Sequence, residues 1–122
     1  MKLIKQKHST GCGVACLAMV TGMSYKQALK MLHPKRFWWF SSAITKMGRI
    51  SQVLESLHIR HYFISKREGC PLGKTMILAV HSSMGHHAIV WCPKQQRILD
   101  PGGDDFSKEY CFSNLVEAIV IE

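Results

Sequence analysis

The sequence predicts an α+β domain in which N-terminal helices pack on an antiparallel sheet. Three observations point there. Apolar residues in the first half recur at helical spacing. After Leu57 the pattern changes to short apolar runs of strand length, separated by turn residues. Helical runs first and hairpin-like strands second is the order of an α+β domain, not of alternating βαβ units. A length of 122 residues fits one domain, expected to span residues 1–122.

Lys2 to Lys7 reads as an extended lead-in. Gly11-Cys12-Gly13 marks a passage from loop to helix, and Val14 to Val20 is apolar on nearly every side, which suits a buried helix. Gly22 is a natural stop. Ser24, with Gln27 three residues on, predicts a capped helix over Tyr25 to Leu32, ended by Pro34. Lys35 to Met47 gives no clear period and contains the cluster Phe37-Trp38-Trp39-Phe40. Ile50, Val53, Leu54 and Leu57 predict a third helix over Arg49 to Leu57. Strands are expected over His58 to Ser65, Thr75 to His81, His87 to Cys92, Arg97 to Leu99 and Leu115 to Ile121. Turns are expected at Cys70-Pro71-Leu72-Gly73 and Pro93 to Gln96, a loop at Ser82 to Gly85, and a break at Asp100-Pro101-Gly102-Gly103.

No apolar run has the length of a membrane span, and the basic N-terminus lacks a signal-peptide core, so a soluble cytoplasmic protein is expected. Five cysteines, an odd count without an export signal, argue against a disulfide framework and leave room for a reactive thiol. Sixteen Lys and Arg against eight Asp and Glu give a formal charge of +8. Such a surplus is usually a solvated basic face; its functional reading is an acidic substrate or partner. No nucleic-acid-binding motif of known spacing is present, so nucleic acid is not the expected partner.

Cys12 stands out among the thiols. A cysteine at a helix start meets unpaired N–H groups and the positive end of the helix dipole, and both favour the nucleophilic thiolate. Gly11 and Gly13 leave room for a substrate backbone. Cys16, one turn further inside an apolar helix, is expected to stay a neutral thiol. A thiol nucleophile needs a base, and the base needs an orienting group. His87 opens an apolar strand and is the candidate base. Its neighbour His86 is the rival, and alternation lets only one of the two face Cys12. Asp100 ends the next short strand, which an antiparallel pairing brings beside the start of the His87 strand. Taken singly, each of these residues has an ordinary structural reading: helix-start cysteine, loop histidine, turn aspartate.

Gln6-x5-Cys12-Gly13-x-Ala15-Cys16-Leu17-Ala18-Met19 resembles the opening of the C39 peptidases, the papain-like domains that precede many bacteriocin-exporting transporters. His87-Ala88-Ile89-Val90 followed by Ile98-Leu99-Asp100-Pro101 resembles that family's histidine strand and aspartate-proline turn. Where the family usually carries an acidic residue before the cysteine, this chain has Gly11. The resemblance implies a papain-like fold and a bacterial thiol protease, with Cys12 as nucleophile, His87 as base, Asp100 as orienting group and Gln6 as oxyanion donor. Relatives in the exporters cut leader peptides after a glycine pair, and the resemblance extends that expectation to this chain. Two rival classes keep the same residues: a catalytically silent peptide-binding domain, and an acyltransferase.

Gly13, Trp38, Trp39 and His86 are the expected substrate-contacting residues, the two tryptophans as a wall of a peptide groove or as cover for the small core. Cys12, Cys16, His86 and His87 do not have a usual zinc spacing, and neither metal nor cofactor is expected.

Overall fold

A computed structural model describes residues 1–7, 10–34, 46–65, 69–82, 85–103 and 107–122. The aromatic cluster with Trp38 and Trp39 lies outside the described residues, as does most of the stretch from Lys35 to Met47.

The first helix, α1 (Cys12–Thr21), buries every residue from Gly13 to Met19. Its all-round apolar sequence places it at the centre of the fold, where Leu17 alone contributes on the order of 2 kcal/mol of burial. It ends where expected. Gly22 takes the left-handed conformation at φ 79° and donates its N–H to the Ala18 carbonyl, a geometry a side chain would strain. Helix α2 (Tyr25–Leu32) starts in the capping box read from sequence: Ser24 and Gln27 each accept from the other's backbone N–H. Helix α3 runs over Met47–Ser56, two residues earlier than expected at its start. Its Arg49 donates to the Leu32 and Met31 carbonyls at 3.2 and 3.0 Å. Those carbonyls are orphans of the α2 terminus, so Arg49 closes that helix and fixes α3 against it.

The strands are β1 (His61–Ser65), β2 (Met76–Ser82), β3 (Gly85–Cys92), β4 (Arg97–Leu99) and β5 (Leu115–Ile121). They form one antiparallel sheet in the order β1-β5-β2-β3-β4. Two expectations need correction. The first strand starts at His61 instead of His58, because the end of α3 holds the preceding residues. Ile59 donates to the Leu54 carbonyl, and His58 takes φ 59°. The expected loop from Ser82 to Gly85 is narrower, since Ser82 and Gly85 are themselves a cross-strand pair. A fourth helix, α4 (Lys108–Ser113), is capped by Ser107 and was not legible in the sequence.

Two cores flank the sheet. On one face, Ala88, Val90, Cys92, Ile77 and Ile119 pack under the three N-terminal helices. On the other, Ile89, Trp91, Leu78, Val80 and Val120 pack with Cys111 of α4. Trp91 is fully buried, and its indole N–H donates to the Leu72 carbonyl, which anchors the turn at residues 70–73. Among the described residues no helix is long and apolar enough to cross a membrane.

Candidate active site

The site lies where the sheet stops short. β4 pairs only with Val90, Trp91 and Cys92, so the outer edge of β3 from Gly85 to Ile89 has no strand beside it. The start of α1 occupies that edge. The sulfur of Cys12 accepts from the Ala88 backbone N–H, from the Gly13 N–H within its own first turn, and is hydrogen-bonded to the His87 ring. No side chain caps α1 at Gly11, so the donors of the first turn are left to the sulfur and to whatever group approaches it.

His87 is in phase with Ile89 and Trp91, but at the open edge its ring turns to Cys12. Its Nε2–H donates to Asp100 Oδ1 at 2.7 Å, which leaves Nδ1 for the sulfur. Asp100 directly follows β4 and is only 4% exposed. Its Oδ1 also accepts from the Gly102 N–H at 2.8 Å, so the turn that ends the strand also orients the carboxylate. Its Oδ2 is buried with no hydrogen-bond partner among the described residues.

These contacts set the protonation of the pair. Burial, the largest single influence on Cys12, raises its pKa. The His87 hydrogen bond, the Ala88 N–H, the charge of His87 and the Gly13 N–H together outweigh it, and the net result is a lowered pKa. The His87 imidazole is raised from 6.5 to about 10, first by Asp100, then by Cys12, against the opposing pull of burial. Both displacements favour a thiolate beside an imidazolium. The other thiols go the opposite way. Burial pushes Cys16 well above the ordinary thiol, aided by the charges of Cys12 and Asp100; it raises Cys70, and takes Cys111 up to about 11.

The lead-in passes the same place. The Gln6 N–H donates to the Pro101 carbonyl at 3.0 Å, which fixes Gln6 beside the Asp100 turn, and its side-chain Oε1 is buried. Gly13 is buried beneath the sulfur it contacts. His86 is exposed and turned away from His87; its ring meets His81 across the hairpin. The structure therefore brings Cys12, His87 and Asp100 into one line of contacts, with Gln6 on the neighbouring segment. The Ala88 N–H was missed in the sequence, which carries no signal for a backbone donor at a sheet edge.

Among the described residues no group of three or more His, Cys, Asp or Glu side chains is placed to hold a metal ion. A surface cavity of about 510 Å³ lies elsewhere, lined by Cys70, Leu72, Lys108, Phe112 and Leu115 among others. It shares no residue with the Cys12 cluster, so here the chemistry of the side chains, not cavity size, locates the site.

No protein-family model matches the chain, and no curated protein matches it. Among solved structures it is similar to the peptidase domain of Streptococcus ComA, a bi-functional ABC transporter involved in a quorum-sensing pathway. The identity is 20%, over 98% of this chain and 96% of that one, with a TM-score of 0.69. Helices on an antiparallel sheet, superimposable on that peptidase domain over nearly its whole length, make this an α+β chain of papain-like fold.

Proposed function

We propose that residues 1–122 form a papain-like cysteine peptidase domain. The observation that carries the reading is the contact of the Cys12 sulfur with a His87 ring that Asp100 holds at 2.7 Å. The thiolate attacks the carbonyl carbon of a peptide bond, and the carbonyl oxygen takes up the negative charge. The Gln6 side-chain N–H and the Cys12 backbone N–H stabilise that oxygen. The His87 imidazolium gives its Nδ1 proton to the leaving amine, and a thioester remains on Cys12. Water then attacks the thioester carbon and gives a proton to Nδ1. The acid product departs, and the thiolate–imidazolium pair is restored. Asp100 keeps the ring in the tautomer and orientation that both steps need.

The substrate class rests on the structural neighbour, the sequence resemblance and the charge. The structural neighbour is a peptidase domain of a transporter, and the sequence resemblance points to leader peptides cut after a glycine pair. The formal charge of +8 supports an acidic peptide. The test is incubation of the purified chain with leader-type peptides that contain a glycine pair, with products read by mass. Cys12→Ala is expected to abolish cleavage and Cys16→Ala to keep it. Gln6→Ala is expected to lower kcat by roughly a hundredfold, the usual effect of losing one oxyanion donor. Cleavage that survives Cys12→Ala would overturn the reading. Added amines that appear in the products would reassign the chemistry to acyl transfer.

A further inference from the structure

Two histidines outside the Cys12 cluster stand opposite each other on the β2–β3 hairpin. His81 pairs with His86 in the antiparallel register. The His81 N–H donates to the Asn114 carbonyl at 2.9 Å, so it points away from β3. His81 and His86 are therefore a non-hydrogen-bonded pair, the kind whose Cα atoms approach to about 4.5 Å and whose side chains lie closest. Both rings are exposed on the sheet face that carries Ala88 and Val90, and neither makes a hydrogen bond to another described residue. Their centroids are 5.7 Å apart and their planes 78° from each other, so the rings are not stacked.

The geometry points to a divalent metal site in which His81 and His86 chelate a zinc-class ion, with solvent completing its coordination. The distances fit. An ion bound at the usual zinc–nitrogen length to two imidazoles at a tetrahedral angle places the ring centroids roughly 5.2 Å apart. The observed separation lies within about half an ångström of that value, a small rotation for two exposed side chains. Imidazole is a preferred ligand for zinc, copper and nickel, and a cross-strand pair on a rigid hairpin is already oriented for bidentate binding. The surplus of positive charge opposes a cation, and two protein ligands are fewer than the four of a structural zinc site. The site is accordingly a weaker, exchangeable one. Its place is the hairpin end next to His87, on the sheet face that α1 covers from Ala88 onward.

The test is calorimetric titration of Zn²⁺ into the reduced Cys12→Ala chain at neutral pH in a non-coordinating buffer. That background removes the thiolate–imidazole pair as a rival ligand set, and it makes the readout independent of peptidase activity. One ion per chain is expected. His81→Gln and His86→Gln keep bulk on an exposed strand face, and thermal unfolding checks that they fold. Each is expected to weaken binding by about tenfold or more, the least that losing even a supporting partner costs a metal site. His58→Gln is expected to leave binding unchanged. Absence of stoichiometric binding, or binding that survives the loss of either ring, overturns the site.

Discussion

Replacing Asp100 by Asn removes a buried charge from the His87 ring while keeping the volume of the side chain. The structure sets the scale of the response. The imidazole is raised from 6.5 to about 10, a difference worth about 5 kcal/mol between its protonation states. Asp100 is the first cause and Cys12 the second, with burial opposing both. Loss of the Asp100 carboxylate therefore removes the largest of the influences that raise the imidazole. A weaker imidazolium is a weaker partner for the thiolate, because the His87 hydrogen bond and charge help to lower the Cys12 pKa. The onset of Cys12 reactivity in Asp100→Asn is expected at higher pH than in the parent chain, by roughly 1 pH unit, the low end of what one neighbouring charge typically does. Rapid-mixing alkylation with iodoacetamide across pH, with the modified residue read by mass, measures that onset directly. An onset within about 0.3 pH units of the parent, in a variant whose thermal unfolding stays cooperative, would refute the coupling of the three groups.

The same contacts carry further expectations. Under native conditions Cys12 should alkylate first and half-buried Cys70 second, with Cys16, Cys92 and Cys111 inert until unfolding; peptide mapping after timed labelling reads the order. Because the folded pKa of His87 lies above its ordinary value, the stability it contributes is complete below pH 6.5 and is lost as pH rises through about 10. Above about pH 9, where the contribution of the lowered Cys12 pKa is already complete, denaturant titrations should show declining stability in the parent and a shallower decline in Asp100→Asn. Ser24→Ala removes one half of the α2 capping box and should cost about 1 kcal/mol in the same assay.

The helical half of the fold was legible because its signals are local. Gly22 and the Ser24–Gln27 pair each act within one turn, and the chain obeys them. Helix α4 was not, because six residues with one buried position, Cys111, carry no periodicity to read. The early start expected for β1 failed for a related reason. The pattern from His58 resembles a strand, but bonds that close α3 hold His58 and Ile59 in a turn. In the candidate site, the helix-start thiol and the order of Cys12, His87 and Asp100 could be read from the chain. Two things could not. One is the Ala88 N–H on the sulfur, which depends on where β4 ends. The other is the facing of His81 and His86, which depends on a hairpin register that extends to Ser82 and Gly85.

That β4 ends after three residues is the structural step on which the site depends. Asp100-Pro101-Gly102-Gly103 stops the strand in several ways at once. Pro101 has no N–H to offer a sheet ladder. Gly103 takes φ 78° and closes the turn by donating to the Asp100 carbonyl at 3.0 Å. The Pro101 carbonyl instead accepts from Gln6, which ties the N-terminal lead-in to the turn. The Ala88 N–H is thereby left facing outward, and the start of α1 settles on it through the Cys12 sulfur. One turn thus ends the strand, orients the Asp100 carboxylate through the Gly102 N–H, holds Gln6 through the Pro101 carbonyl, and leaves the edge of β3 to Cys12. A sheet extended by two more paired residues would satisfy the same backbone groups and leave no place for the thiol.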